Sequence, residues 1–510
     1  MSSDLRQCDY LLHFQSLWSP APVYFIGKSH LFRLATVEEV SHINKPTLTY
    51  DTWEALPPKD NIPSTENLID MTLAEKLLRP DRIKSLRAPS SVWEVLRDRG
   101  LLDDSIKAIY SSLRSNCKIE DVFSGWNLKG MFVALEKLWL AQYQEMHSAS
   151  EFKRYLDIEC KVNSCLLRYR KGIAIDAGAA QEAILGLERQ ALIARRAIKH
   201  EFGIDRPEDY IGFIRKGSAH DIPTDGHQAN LNNAIISLKK YFAVMKNRKT
   251  ILRLGSSFSS RVDVIMDTFG TQSGRIIVRD PPLQNLPARF RHVLKADVGH
   301  QLLYIDFSHY EVCILAAETG DELLGADLQS GDVYDSFAKA LGLNEGRETA
   351  KMLFLSILYG ITEASLQQIL PPSAPNAHDL ILNIHKRYRK IRPWQIRIWT
   401  SFLKDGRIGS AQGNFRKRLA SGALSDRERR VAVSQRIQGS GSLILKQALI
   451  RTSESHPEFW PLLPMHDAVL YQVPSEMLDS AATDVVKEFE AAFQQVYSGT
   501  YCRALVKDFS

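Results

Sequence analysis

Apolar positions along this chain follow two rhythms, short continuous runs and longer stretches at helical spacing. Residues 1–60 carry short strand-like pieces, Pro22–Ile26 and Pro46–Tyr50, separated by Pro, Gly and Lys. Asn67–Leu78 has helical spacing, and from 126 to 168 that spacing is nearly continuous until Lys171-Gly172 supplies a stop. Ile173–Asp176 predicts a short strand, and 177–250 are again helical and charged, broken by a polar loop near 216–230. Past 270 the run Leu302–Ile305 ends on Asp306, and residues 311–425 return to helix. Two last apolar runs, Leu462–Met465 and Val469–Val473, flank His466-Asp467-Ala468 and predict a β-hairpin. Two carboxylates therefore end or interrupt buried strands in distant parts of the chain.

Length changes this picture only by adding domains: 510 residues exceed one core and suggest roughly two to four. The hydrophobic fraction of 44% and charged fraction of 24% are those of a globular chain. Sixty-five Lys+Arg against 59 Asp+Glu give a net charge of +6, compatible with a polyanionic partner without requiring one. The six cysteines are scattered, with no C-x-x-C pair, which fits a reducing compartment. The first residues, MSSDLRQCDYLLHF, lack the basic and apolar regions of a secretory signal. No run approaches the about 20 apolar residues of a membrane span, so a soluble chain without membrane contact is expected.

The candidate chemistry starts with the two aspartates. A buried carboxylate is costly unless a cation or donor joins it, so Asp306 and Asp467 at strand edges could hold two Mg²⁺ ions. One ion would activate an attacking 3′-hydroxyl and the other would clamp a triphosphate. Ordinary turn aspartates are the bland alternative, and the neighbouring motifs argue against it. Arg347, Lys351, Leu355 and Tyr359 are spaced four apart, which keeps them on one face of a helix. The helix N-terminus and two cations suit a triphosphate, the Leu and Tyr a base and sugar, and Gly360 permits an end or a close approach.

These segments resemble the family A DNA polymerases. Asp306-Phe-Ser-His-Tyr-Glu311, continuing to Gly320-Asp321, is similar to the family's motif A, Arg347 through Tyr359-Gly360 to motif B, and His466-Asp467 to motif C. Ser273-Gly274-Arg275 with Asp280–Pro287 resembles the primer–template segment, and Gln438-Gly439-Ser440, preceded by Arg430, a further palm motif. All five occur in the family's order. The resemblance implies Asp306 and Asp467 as metal ligands, with the Phe307 carbonyl assisting. It implies Lys351 as phosphate ligand and proton donor to pyrophosphate, and Arg347 as triphosphate ligand. Tyr359 and Leu355 would lie beside the incoming nucleotide, Glu311 would exclude a 2′-hydroxyl, and His466 would lie near the primer end. Arg275 and Gln438 would check the minor groove of the new pair. Gln284, Asn285, Arg430, Arg416 and Arg418 would touch DNA. Primer–template DNA and dNTPs are the implied partners, and Mg²⁺ the cofactor, with Mn²⁺ able to substitute.

Several positions depart from the family. Leu355 replaces the usual Phe or Tyr and predicts strong discrimination against dideoxynucleotides. It resembles certain phage enzymes in this respect. Ala468 stands for the usual Glu and Ser434 for an Asn, and His309, Tyr310 and Cys313 also differ. Residues 1–145 look like a shortened, inactive 3′–5′ exonuclease-like domain. Tyr50-Asp51-Thr52-Trp53-Glu54 has the wrong spacing for Asp-x-Glu and reads as a solvated turn, Asp70–Leu73 as a structural stretch, and Met131–Trp139 lacks Tyr-x-x-x-Asp. Two basic clusters, 385–399 and Phe415–Arg418, could contact DNA.

The expected class is α+β: a right hand with a small N-terminal α/β domain. A polymerase domain spans 146–510, with a palm of 150–176, 265–325 and 428–510, a thumb of 177–264 and fingers of 326–427. The expected role is phage or bacterial-type replication or repair without proofreading, by a monomer, with a processivity factor or helicase-primase left open. A cytoplasmic location, in a bacterial host if the origin is viral, is expected, with an organelle left open. A single-subunit RNA polymerase and an inactive DNA-binding relic are the competing readings; Glu311 and the 280–287 segment oppose the first, intact Asp306, Lys351 and Asp467 the second.

Overall fold

The computed structural model describes residues 8–14, 23–56, 65–82, 91–104, 106–107, 125–212, 228–255, 260–340, 346–370 and 376–509. Near the N-terminus the short apolar runs become β1 (Asp9–Phe14), β2 (Val23–Lys28), β3 (Leu31–Ala35), β4 (Thr47–Thr49) and β5 (Leu68–Asp70). They form one sheet in the order β3-β2-β1-β4-β5, antiparallel from β3 to β1 and parallel from β1 through β4 to β5. The start of the expected Asn67–Leu78 helix is corrected here. Leu68–Asp70 is a buried strand, and the helix is Met71–Leu78, because Asp70 accepts from the Thr72 N–H and caps it. The expected unbroken helix from 126 to 168 also divides. Gly125–Ser148 stops at Ser150, whose φ of 60° leaves the helical region, and helical turns resume through Lys161–Leu167 after a π-helical stretch at Tyr155–Cys160.

The next segment is β6 (Ile173–Ile175) and the helix Ala177–Phe202, capped by Asp176 and ended by Gly203 in the left-handed region. It packs beside the helix Gln228–Gly255 over a small core of Ile198, Leu238 and Tyr241. The polar loop expected near 216–230 lies outside the described residues up to 227. Strand β7 (Arg261–Val262) pairs with β6, and β6 with β10 (Leu294–Lys295), while β8 (Ile265–Asp267) and β9 (Ile277–Asp280) form a hairpin.

The largest core surrounds an antiparallel sheet in the order β14-β15-β11-β16. Its strands are β11 (His300–Phe307), β14 (Trp460–Met465), β15 (Ala468–Pro474) and β16 (Ala504–Lys507). The expected hairpin around Asp467 is therefore present. Helix Leu478–Val496 packs beside this sheet and Asp426–Ser455 packs against that helix, with every residue from Gly439 to Ile450 buried. Residues 311–425 are largely helical as expected, with one difference. Gly406 and Asn414 take positive φ, and the chain between them reverses so that β12 (Arg407–Ile408) pairs with β13 (Arg416–Lys417).

The N-terminal sheet and the later segments share a buried junction. Lys76 Nζ lies 2.7 Å from Asp267 Oδ1, both side chains below 5% exposed. Asp51, expected in a solvated turn, is instead 6% exposed, with φ of 59° and Arg279 at 3.7 Å. Burial against the β8–β9 hairpin overrides its polar composition. The side chain of Glu54 lies outside the described set. Asp70 accepts from the backbone N–H groups of Asp51, Thr52 and Thr72 and from the Thr52 hydroxyl. Among the described residues Cys160, Cys165, Cys313 and Cys502 are in no disulfide. No helix among the described residues is long and apolar enough to cross a membrane.

Candidate active site

Sheet register brings the two aspartates together. On β11, Asp306 stands opposite Ala468 of β15, and the Phe307 N–H donates to the Asp467 carbonyl at 3.2 Å. The turn that holds Asp467 is short, since Met465 and Ala468 already pair. His466 in that turn has φ of 54°, and His309, just past the end of β11, has φ of 51°. Both acids are thus followed or preceded by a histidine in the strained left-handed region, a placement that recurs at functional sites. Burial pushes the Asp467 carboxyl up to about 6; Arg275 opposes this, Asp306 and Glu311 add to it, and Lys351 opposes it. Asp306 is ion-paired with Lys507 of β16.

The helix Arg347–Leu358 carries the predicted cationic face. Lys351 is exposed and its charge reaches Asp467, while Leu355 and Tyr359 are half-buried. Arg347 donates to Asp332 Oδ2 at 2.6 Å, and the same oxygen faces His309 Nε2 at 3.1 Å. One carboxylate therefore holds the motif A loop and the cationic helix together.

A second network joins residues from four segments. Arg275 lies 3.1 Å from Glu311, and Gln438 donates to the Tyr359 hydroxyl at 3.3 Å. Burial raises the Tyr359 hydroxyl far above its ordinary value, and its hydrogen-bonded neighbour Glu311 adds to that. Ser434 donates to Gln438 at 3.1 Å. Arg275 is aimed by Gly274, with φ of 81°, where a Cβ would meet the Phe269 ring at 3.2 Å.

The remaining expected DNA contacts divide. Asn285 and Arg430 are exposed, and Arg416 is partly buried in β13. Gln284 donates to the carbonyls of Ile276 and Pro464 and accepts from the Val278 N–H, which ties β9 to the strand before Asp467. Arg418 is engaged with Glu428 at 2.9 Å and with the Gly422 carbonyl. In the first basic cluster, Arg387 and Tyr388 bind Asp327, Lys390 binds Glu322 and Trp394 is buried. Lys386, Arg389, Arg392 and Arg397 remain exposed, and Trp399 is flanked by Arg392 and Arg429.

Sequence reasoning missed Asp332, Lys507 and Glu318. Glu318 accepts from Arg436 at 2.8 Å and from Tyr497 at 2.6 Å, and so ties the motif A helix Tyr310–Thr319 to two later helices. Asp332 lies fifteen residues before Arg347, and only its place at a helix start signalled it. The short apolar run Ala504–Val506 was the sole hint of the strand that carries Lys507.

Residues 226–498, more than half of the chain, match the model of DNA polymerase family A. The chain belongs to that family. Among curated members it is 28% identical over 257 residues to DNA polymerase I of Caldicellulosiruptor bescii, covering 46% of this chain and 30% of that protein. DNA polymerase I of Helicobacter pylori is 23% identical over 492 residues, covering 90% of this chain and 54% of that protein. The chain thus spans about a third to a half of the length of these family A relatives. A solved structure, the POL domain of Pol1 from M. smegmatis in complex with DNA primer-template and dNTP, superimposes with a TM-score of 0.77 at 17% identity. It covers 98% of this chain and 94% of that one. The fold is that of a right-hand polymerase, α+β as expected.

Proposed function

We propose that this chain is a DNA-directed DNA polymerase that extends a primer on a DNA template. The observation that carries the reading is the register of β11 against β15, which sets Asp306 beside Asp467 within reach of the charge on Lys351. Family membership and the likeness to a polymerase domain support it.

The donor set suits Mg²⁺ or Mn²⁺. Two carboxylates and a backbone carbonyl are hard oxygen ligands, and burial, with Asp306 and Glu311 adding to it, disfavours the charged form of Asp467 that a bound cation would stabilise. Asp306, Asp467 and the Phe307 carbonyl would hold the ions. When bound, the ions supply a more acidic 3′-hydroxyl and charge neutralisation on the triphosphate. Arg347 and Lys351 bind the phosphates, and Lys351 gives a proton to the departing pyrophosphate. Arg347 must leave Asp332 to do so, which makes that ion pair part of nucleotide entry. Glu311, held by Arg275 and Tyr359, closes the space a 2′-hydroxyl would need. Leu355 offers no hydroxyl where a 3′-OH is missing, so dideoxynucleotides are poor substrates. Arg275 and Gln438 lie against the minor groove, and Arg430, Asn285 and Arg416 against the DNA strands. We assign Gln284 and Arg418 to support of these contacts through their backbone and Glu428 bonds.

The palm would comprise 150–176, 265–325 and 428–510, the thumb 177–264 and the fingers 326–427. The segment 1–145 would serve as a buttress without proofreading. Its acids Asp51 and Asp70 are engaged by Arg279, backbone N–H groups and Thr52.

Primer extension with all four dNTPs and Mg²⁺, beside an Asp467→Asn control, tests the central reading. Extension by the wild type alone supports it; equal activity in both chains refutes it. NTPs in place of dNTPs discriminate against an RNA polymerase, and a 3′-labelled mismatched primer without dNTPs tests for proofreading.

A further inference from the structure

Strand β16 lies antiparallel on the free edge of β11, with Asp306 opposite Leu505 and Tyr304 opposite Lys507. Residues 304 and 306 share one face of the sheet, so Lys507 is the diagonal neighbour of Asp306, a spacing that a long side chain spans. Its ammonium ion-pairs with Asp306 Oδ2; the lysine side chain is 45% exposed and the aspartate 20%. On the other flank of Asp306, β15 presents only the methyl of Ala468. Lys507 is thus the cation that this structure sets on the carboxylate read above as a metal ligand.

We propose that Lys507 competes with the divalent ion for the same Asp306 oxygen, so that it sets the metal requirement of the site. The inference rests on the metal reading given above. An ammonium and a divalent cation cannot share one carboxylate oxygen at contact distance without strong repulsion. The ion must therefore displace Lys507, whose flexible and half-exposed stem lets it swing into solvent. Exposed ion pairs are weak, so the competition costs the metal only a modest factor, about three- to five-fold in affinity.

The test is Mn²⁺ binding to the full chain without DNA or nucleotide, read from the electron paramagnetic resonance signal of the free ion. Lys507→Met and Lys507→Gln should each bind Mn²⁺ about three- to five-fold more tightly than wild type, while Lys507→Arg keeps the weaker wild-type affinity. Half-saturating Mg²⁺ in primer extension should fall in step. Unchanged or weaker Mn²⁺ binding in both Lys507→Met and Lys507→Gln overturns the inference. An Asp306→Asn control separates the two levels: if it binds Mn²⁺ like wild type, the metal reading itself has failed; if it loses binding while the Lys507 variants match wild type, only the role of Lys507 falls.

Discussion

Two acidic groups in this molecule look alike in sequence and differ in what surrounds them. Asp51, Asp70 and Asp267 gather where the N-terminal sheet meets the β8–β9 hairpin, and Asp306 and Asp467 gather at the end of β11 and β15. In the first group Asp70 accepts four hydrogen bonds, Asp267 is bound by a buried lysine and Asp51 by Arg279. In the second, burial pushes Asp467 up to about 6, with Asp306 and Glu311 adding to it, and Asp306 is ion-paired with a half-exposed lysine. Burial also raises Asp51, so the contrast lies in the partners: the first group is held by largely buried cations and backbone donors at a packing junction, and the second lies beside the exposed Lys351 and Lys507.

The sharpest way to break this contrast is to neutralise one acid from each group. Asp467→Asn should lower primer extension about a thousand-fold or more, the scale of several kcal/mol of lost charge stabilisation, with little loss of melting temperature. Asp51→Asn should leave the rate of nucleotide addition on matched primers within about three-fold while changing thermal stability. If Asp51→Asn abolished extension instead, the two groups could not be separated in this way.

Next in size is the junction pair. Lys76→Met leaves Asp267 buried without its partner and should cost about 3–5 kcal/mol of stability, seen by thermal or urea unfolding. Adding Asp267→Leu should recover much of that loss; no recovery would mean that the ammonium acts otherwise than by neutralising this carboxylate.

Smaller is a pH effect at Asp467. In the folded chain its carboxyl is raised from 3.8 to about 6, so the folded state holds the proton more tightly between those values. Stability therefore falls as pH rises through that window, and the penalty is fully present above about 6. In EDTA, Asp467→Asn should be more stable than wild type at pH 8 by on the order of 2 kcal/mol, a gap that narrows toward pH 5. A gap that widens on acidification would contradict the burial argument. The smallest effect is expected at Gln284. Gln284→Ala removes its bonds to the Ile276 and Pro464 carbonyls and should cost about 1–2 kcal/mol with DNA affinity unchanged in a filter-binding titration. A large loss of DNA affinity would instead make Gln284 a direct contact.

Much of this was legible in the chain. Apolar runs ending in Asp306 and flanking Asp467 announced strands, because alternation and burial are local properties. The four-residue spacing from Arg347 to Tyr359 announced one helical face for the same reason. What escaped were partners set by register and packing. Nothing near Asp51 signals that Arg279 will cover it, and the solvated turn read there became a buried one. Leu68–Asp70 read as helix because a three-residue strand is too short to show its period. Gln284 and Arg418 sit in the expected motifs, yet their side chains are engaged by carbonyls and a carboxylate that only the folded chain brings near.

The placement of β11 between β15 and β16 bears on how the protein is made. Its two flanking strands come from residues 468–474 and 504–507, synthesised long after the strand they enclose. A nascent chain that has already released its N-terminal sheet and long helices still has an incomplete central strand with both edges bare. Such edges invite mispairing with other chains, and closing them requires contacts across a large sequence separation. A chain made only as far as residue 500 therefore lacks one edge of β11 and, with it, the cation paired with Asp306.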